Sequence, residues 1–270
     1  MPPLIYGILR ERVLSPGKVA ADRAVMEEVL AHLARGGCEV RFLAAEELPA
    51  APPQAAGVLH MAQGPESLER LTQWEKRGLR LLNPPAAVLA CYRRHLFPIL
   101  ARRGFDCPDT RFFSVEEARS RWPQEFPGPG WLKRAEVHAT GPGDVVRVAS
   151  AQEALEVLAD FSRRGIDHLI WQEHVPGEEV KFYAVGPGRF SQAFAAATGS
   201  PIGEPGLSTV QDLAVRAGRL VGLAVFGGDV ILNPRRGPVL IDLNDWPSFS
   251  RCRTAAAQEI AHYVQELWQL

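Results

Sequence analysis

The first 83 residues alternate short apolar runs with segments of helical periodicity. Leu4 to Leu9 forms one such run and is typical of a buried strand, whereas residues 22–35 repeat apolar side chains at helical spacing. Two more strand segments flank a second helical segment before Asn83. Because alternation of this kind is typical of crossover connections, it predicts a parallel sheet. We therefore expect an N-terminal α/β unit over residues 1–83.

A proline pair, Pro84-Pro85, marks the end of this unit, and a single helix is predicted from about Ala86 to Arg103. Further helices and strands follow, and a last helix is predicted from about Thr254. Its apolar stripe suits a helix that covers a sheet, although the same stripe would also suit pairing with a second subunit.

The strongest chemical signal comes from two apolar runs separated by the turn sequence NPRRGP, which predicts an antiparallel hairpin. Asp242 and Asn244 are two residues apart and therefore project from one face, with Asp229 able to lie opposite them. Two carboxylates and an amide oxygen suit Mg²⁺ that already carries nucleotide phosphates. The other interpretation is a polar exposed face, but Asp242 sits inside an apolar run, where an unpaired carboxylate is costly.

This spacing resembles that of the ATP-grasp superfamily, which includes the D-alanine–D-alanine ligases and the ribosomal-protein glutamate ligases. In that family an Asp, a Glu or Asp about 13 residues later, and an Asn two further on hold two magnesium ions. Here the offsets are 242 − 229 = 13 and 244 − 242 = 2. The resemblance implies ATP and Mg²⁺, with Mn²⁺ as a possible substitute. The turn that follows departs from the family because Ser248 replaces a glycine.

The resemblance covers nearly the whole chain and implies the ATP-grasp fold. In that fold an N-terminal parallel α/β unit precedes two units that clasp ATP, so the chain is α/β overall and α+β in its C-terminal part. The implied bounds are a central lid unit over residues 84–171 and a C-terminal unit with the metal site over residues 172–270.

The segment WQEHVPGEEVKFYAVG is similar to the one that contacts the nucleoside in this family. By that resemblance Glu179 binds the ribose hydroxyls, and an acceptor-only carboxylate is chemically suited to a vicinal diol. The alternative for Glu179 is an exposed strand residue. The residues implied to line the adenine edge are Gln172, Glu173, His174 and Val175.

Two further segments resemble phosphate-binding parts of the family. Lys133, in the strand WLKRA, matches a lysine that contacts the α-phosphate and adenine, and a surface lysine is the alternative. The loop HATGPGD resembles the lid, in which Gly141 and Gly143 allow close approach to phosphate and His138 is a possible contact. Arg93 stands where the family has an earlier lysine, and arginine also binds phosphate.

The remaining catalytic candidates are basic. Lys181 faces the same side of its strand as Glu179 and matches a residue near the γ-phosphate, with a cross-strand ion pair as the alternative. The family's arginine just before the first metal Asp is absent, since Phe226-Gly227-Gly228 occupies that stretch. Arg251 and Arg253 are candidates to hold an anionic substrate instead, with a solvated charge cluster as the alternative.

The implied activity is a carboxylate–amine ligase that works through an acyl-phosphate. Its expected partner is a small molecule or peptide with a carboxylate. A kinase of the inositol-phosphate type is a second hypothesis, because Ile241-Asp242-Leu243-Asn244 matches the last motif of those kinases. An ATP-binding protein without turnover is a third. The chain's oligomeric state is open, with a homodimer possible.

Composition bears on three further properties: nucleic-acid binding, membrane insertion and the state of the cysteines. With a net charge of −1, the chain as a whole has no electrostatic attraction for nucleic acid. The sequence contains no apolar stretch of 18 residues, so we predict no membrane-spanning helix. The four cysteines are scattered without CxxC spacing, so we expect reduced thiols in a cytoplasmic protein. Only four of the 30 basic residues are lysines, which favours a specific use for those that remain.

Overall fold

A computed structural model describes residues 1–136, 141 and 143–270. The N-terminal strands are β1 (Leu4–Leu9), β2 (Glu39–Ala44), β3 (Gly57–His60) and β4 (Leu81–Leu82). They form one sheet in the order β2-β1-β3-β4, and all three pairings are parallel. Helices α1 (Val19–Arg35) and α2 (Pro65–Lys76) make the crossovers. The parallel sheet predicted from the alternating pattern is confirmed.

The single helix predicted from Ala86 to Arg103 is wrong. The segment forms two helices, α3 (Pro85–Ala90) and α4 (Arg93–Arg102), with Tyr92 between them at a non-helical ψ of 128°. The Tyr92 ring is buried against Leu68 and Val88, and its hydroxyl donates to the Gln63 carbonyl oxygen. These contacts hold the backbone out of the helical region, and the periodicity of the segment gave no sign of them.

The second sheet is antiparallel, in the order β5-β8-β6-β7. Its strands are β5 (Thr110–Ser114), β6 (Gly130–Arg134), β7 (Val145–Val148) and β8 (His168–Glu173). Helices α5 (Val115–Glu125) and α6 (Ala151–Arg163) pack together and share a core with the strands through Trp122, Leu158 and Phe161. This sheet and the next supply opposite walls of the cavity described below.

The third sheet is also antiparallel, in the order β10-β9-β11-β12. Its strands are β9 (Glu178–Val185), β10 (Phe190–Ala195), β11 (Val225–Asn233) and β12 (Gly237–Asp245). The short helix α7 (Gly186–Arg189) joins the first two, and α8 (Gly206–Val221) packs on the sheet. The hairpin predicted around NPRRGP is confirmed as β11 and β12.

The C-terminal helix α9 (Arg253–Trp268) packs against α1 and against β9. Its apolar stripe, Ile260, Val264 and Trp268, is buried in one core with α1 and the ends of β9 and β11. The Trp268 ring lies so close to Gly57 that a Cβ atom there would approach it to 2.3 Å. The stripe therefore covers the N-terminal and third sheets. Leu267, next to Trp268 in the helix, is 49% exposed and lies outside this core.

Two further expectations concern the whole chain. Cys38, Cys91, Cys107 and Cys252 are all free thiols. Across the described residues, no helix has the length and apolarity needed to cross a membrane.

Candidate functional site

A cavity of about 640 Å³ opens where the second and third sheets meet the N-terminal unit. Most of the site residues expected from the sequence line it, although they come from seven separate segments of the chain. Those lining residues are Arg93, Lys133, Gln172, Glu173, His174, Val175, Glu179, Lys181, Asp229, Asp242, Asn244 and Arg251.

The hairpin places the two candidate metal carboxylates directly opposite each other. Asp229 and Asp242 are register partners, and the register shifts between Asp229 and Val230. Each carboxylate is already paired with a cation. Asp242 Oδ2 accepts from Arg93 Nη2 at 2.5 Å, and Asp229 Oδ1 accepts from Lys181 Nζ at 2.6 Å. The two carboxylates therefore lie side by side on β11 and β12, with Lys181 of β9 on one side and Arg93 of α4 on the other.

Burial by itself would raise the pKa of Asp242, but the nearby Arg93 and Lys133 cations hold that pKa below its usual value. Asp242 is therefore ionised at neutral pH. The pKa of Lys181 is raised, because Asp229 more than offsets the lowering effect of burial.

The donor set fits magnesium that arrives with phosphate. Among the described residues there is no group of three or more His, Cys, Asp or Glu side chains that could hold a metal ion. The oxygens available are those of Asp229, Asp242 and Asn244, which all line the cavity. Mg²⁺ commonly takes one or two carboxylates and completes its shell with water and substrate phosphate, so this incomplete set suits it.

The contacts of Gly227 leave no room for a side chain just before Asp229, where the resemblance implies an arginine. A Cβ atom at Gly227 would lie 2.7 Å from the Phe182 carbonyl oxygen and 2.9 Å from Pro247 Cγ. Pro247 belongs to the turn after β12, so this turn packs into the space that a side chain at residue 227 would need. A positive charge near Asp229 must therefore come from other segments, and Lys181 is the nearest.

Lys133 lies almost fully buried on β6 at 6% exposure. Its ammonium donates to Gln172 Oε1 at 2.6 Å and reaches the Ile241 carbonyl oxygen at 3.5 Å. Gln172 in turn donates from Nε2 to Thr110 Oγ1 at 3.2 Å, which fixes its orientation. Burial lowers the pKa of Lys133 to about 8, although Asp242 acts in the opposite direction.

This pKa predicts a pH dependence of anion binding. Below about pH 8 Lys133 is charged and attracts phosphate. Above that pH Lys133 is neutral in the free protein, so it must take up a proton when phosphate binds. ATP affinity should therefore fall about tenfold per pH unit above 8, as measured by calorimetry. Lys133→Arg stays charged and should show a flat profile. Parallel profiles for both proteins would show that another group titrates.

An apolar slot lies beside this lysine. Val175, Ile231 and Val239 are buried in one cluster with Ile241 packed against it, and three of the four line the cavity. His174 Nδ1 accepts from Trp131 Nε1 at 3.1 Å, which places two aromatic rings at the slot's edge. The Glu173 carboxylate instead accepts from the Asp109 amide at 3.1 Å and from Arg236. Glu179 is exposed and lines the cavity.

Solved structures share this fold over almost the full chain. A RimK-domain ATP-grasp protein from Sphaerobacter thermophilus is 21% identical with a TM-score of 0.73, covering 96% of this chain and 99% of its own. The D-alanine–D-alanine ligase from Bacillus anthracis, complexed with ATP, is 12% identical with a TM-score of 0.75, covering 100% and 99%. The chain has the ATP-grasp fold.

A third ATP-grasp structure, the ligase PsnB complexed with minimal precursor, Mg and ADP, is 17% identical with a TM-score of 0.67. It covers 98% of this chain and 98% of its own. No protein-family profile matches the chain. A comparison with curated proteins gives no match either. At identities this low, the structural similarity establishes the fold alone. The ATP-grasp architecture predicted by resemblance is confirmed.

Three of the remaining predicted residues, Gly141, Gly143 and Arg253, do not line the cavity. The Gly141 amide donates to Asp144 Oδ2 at 3.2 Å. His138 lies outside the described residues. Arg251 lines the cavity and donates to the Ala195 carbonyl oxygen at 3.0 Å, whereas Arg253 begins α9 and does not line it.

Sequence reasoning missed the N-terminal wall of the site. Arg10, Lys18, Asp22, Gln63 and Asp245 also line the cavity. Arg10 directly follows β1 and Gln63 comes soon after β3. Ligands of parallel α/β sheets bind outside the carboxyl ends of the strands, so the position of these residues after predicted strands was the available signal. Burial raises the pKa of Asp245 to about 6.

Proposed function

We propose that the chain is an ATP- and magnesium-dependent ligase that joins a carboxylate to an amine. One observation carries the proposal: an ATP-grasp fold brings Asp229, Asp242 and Asn244 into the same cavity as Lys133 and Lys181. Oxygen ligands for a divalent cation beside one buried and one partly exposed ammonium group form a site for a nucleotide triphosphate and its metal. When bound, Mg²⁺ neutralises phosphate charge during phosphoryl transfer.

The chain's own residues divide the work of binding. Asp229, Asp242 and Asn244 hold the metal, and Lys133 and Arg93 supply positive charge to the phosphates. The slot formed by Val175, Ile231 and Ile241 is apolar and suits a planar base, with Glu179 at its exposed end for the ribose. This division explains why Asp242 and Arg93 are paired: Arg93 is buried and Asp242 only slightly exposed, so each needs a counter-charge until the ligand arrives.

The amine and carboxylate substrates meet where the phosphate end of the site faces the N-terminal unit. Lys181 and Arg251 are the basic residues at that end that line the cavity. They replace the charge that Gly227 cannot provide, because Pro247 blocks a side chain there. The solved neighbours with the same fold include ATP-grasp ligases, which favours C–N bond formation over phosphorylation of a hydroxyl.

Binding of Mg·ATP should raise the melting temperature of the protein. Saturation at about 100 times the dissociation constant stabilises a folded protein by about 2.7 kcal/mol, which corresponds to a shift of about 5 °C or more. Thermal denaturation with ATP, Mg²⁺ or both measures it, and the largest shift requires both. No shift at millimolar Mg·ATP contradicts the nucleotide site.

Product analysis then separates ligase from kinase. Release of ADP and inorganic phosphate that depends on an added amine supports the ligase. The amine attacks the carbonyl carbon of the acyl-phosphate, and inorganic phosphate leaves. ADP with a phosphorylated product and no free phosphate would replace the ligase proposal with a kinase. Binding without any ADP release would leave a nucleotide-binding protein.

A further inference from the structure

Three rows of register partners cross β9 and β11 beside the cavity, and the last two rows continue onto β12. The rows are Glu179 with Ile231, then Lys181 with Asp229 and Asp242, and last Tyr183 with Gly227 and Asn244. Each row lies two residues further along a strand, so neighbouring rows are about 7 Å apart. The side chains of β9 in these rows project from one face and line the cavity.

The order of the rows matches the length of the nucleotide proposed above. Glu179 is assigned to the ribose, and the second row contains both metal carboxylates. A nucleotide that extends in this direction brings its terminal phosphate to the third row. That row carries no cation, because the contacts of Gly227 leave no room for a side chain. Recognition of the terminal phosphate by this row must therefore use a neutral donor.

Tyr183 is the neutral donor that this row offers. Asn244 is assigned to the metal, which leaves the Tyr183 hydroxyl to donate to an anion. Tyr183 is only 4% exposed, yet it lines the cavity. Within the described part of the chain, no residue forms a hydrogen bond with its hydroxyl. Buried tyrosine hydroxyls usually have a partner, so one without a protein partner in a cavity wall indicates a ligand contact.

Two aromatic rings hold the Tyr183 ring in place. The ring centroid of Phe249 lies 5.4 Å from that of Tyr183, and the centroid of Phe194 lies 6.0 Å away. Both distances are typical of favourable aromatic pairs. Phe249 belongs to the turn after β12, in which Pro247 closes the space beside Gly227. One turn therefore excludes a side chain at residue 227 and fixes the tyrosine that is its register partner.

We infer that the Tyr183 hydroxyl donates a hydrogen bond to the terminal phosphate of the bound nucleotide, so that the site selects a triphosphate over a diphosphate. A hydrogen bond to a charged phosphate oxygen is stronger than one between neutral groups, so its loss is measurable. The inference rests on the proposed nucleotide site. It does not depend on the choice between ligase and kinase, because both reactions begin with ATP.

Calorimetry of nucleotide binding to full-length Tyr183→Phe tests the inference. The substitution removes the hydroxyl and keeps the ring that packs between Phe194 and Phe249. The two ligands are ADP and the imido analogue of ATP that resists cleavage between its β- and γ-phosphates, each with Mg²⁺. Affinity for the analogue should fall about tenfold or more, whereas affinity for ADP should change by less than about twofold.

Tyr263→Phe is the matched control, because it removes the same hydroxyl from α9, outside the cavity. It should bind both nucleotides as the parent does. Unchanged affinity of Tyr183→Phe for the analogue overturns the inference and leaves the nucleotide site standing. An equal loss for both nucleotides would show a structural role and overturns it as well. If the parent binds neither nucleotide, the nucleotide site and the inference fall together.

A second measurement uses the parent protein and covers the case in which Tyr183→Phe does not fold. The chain has four tyrosines, so a carbon-13 label at tyrosine Cζ gives few NMR resonances. One resonance should shift when the analogue binds and stay in place with ADP, because only the longer nucleotide reaches the hydroxyl. If no resonance distinguishes the two nucleotides, the inference is overturned.

Discussion

Replacing Asp242 with Asn is expected to lower Mg·ATP-dependent ADP release on the order of 10³-fold. The substitution keeps the shape of the side chain and removes the charge that faces Arg93 and that we propose binds the metal. A neutral amide is a poorer ligand for a hard divalent cation. The first measurement is ADP release with substrates present, and the second is the Mg²⁺ dependence of ATP affinity by calorimetry. That dependence should be lost.

A stability loss would confuse this result, and the structure shows where it would come from. The Arg93 side chain is 3% exposed, and leaving such a cation unpaired costs about 3–5 kcal/mol. Arg93→Met combined with Asp242→Asn removes both charges, so it should recover stability without recovering ADP release. Asn244→Ala, which breaks no ion pair, should lower ADP release with little loss of stability. Normal Mg²⁺-dependent ATP affinity in folded Asp242→Asn would remove Asp242 from the metal site.

Replacing Asn83 with Ala should destabilise the protein by about 3–5 kcal/mol, because three buried hydrogen bonds are lost. Asn83 is 0% exposed. Its Nδ2 donates to the Val225 carbonyl oxygen at 2.7 Å, and its Oδ1 accepts from the Ala224 and Val225 amides at 2.8 and 3.0 Å. These bonds join the end of the N-terminal sheet to the start of β11.

Chemical denaturation measures the effect. Asn83→Asp keeps the acceptor for both amides and loses the donor, so its free energy of unfolding should fall between those of the parent and Asn83→Ala. Gln152→Ala removes an exposed bond to Glu156 within α6 and should change the free energy of unfolding by less than about 0.5 kcal/mol. A change of that small size in Asn83→Ala would show that the units are held together elsewhere.

Local sequence patterns were enough to predict the elements whose formation depends on neighbouring residues. Alternating apolar periods indicated the parallel sheet, and the NPRRGP turn between two apolar runs indicated the hairpin that sets Asp229 against Asp242. They did not suffice where a distant contact overrides a local preference. The break at Tyr92 depends on Gln63 and Leu68, which are far away in sequence and which no periodicity in residues 86–103 reports.

Three of the four lysines of the chain line the cavity. Lys18, Lys133 and Lys181 line the cavity, whereas Lys76 lies in the last turn of α2. Lys133 and Lys181 were expected near phosphate from their motifs. Lys18 had no expected role, because nothing near residue 18 indicates that the start of α1 faces the third sheet.

The sequence by itself determined which polar side chains of β11 and β12 lie together, because spacing along a strand fixes which side chains share a face. It also determined the class of fold, because periodicity distinguishes strands from helices. Only the tertiary structure decided what these residues touch. It paired Asp242 with Arg93, filled the space beside Gly227 with Pro247, and gathered Arg10, Gln63 and Asp245 into one wall. Burial and charge balance act between distant segments, so no local pattern encodes them.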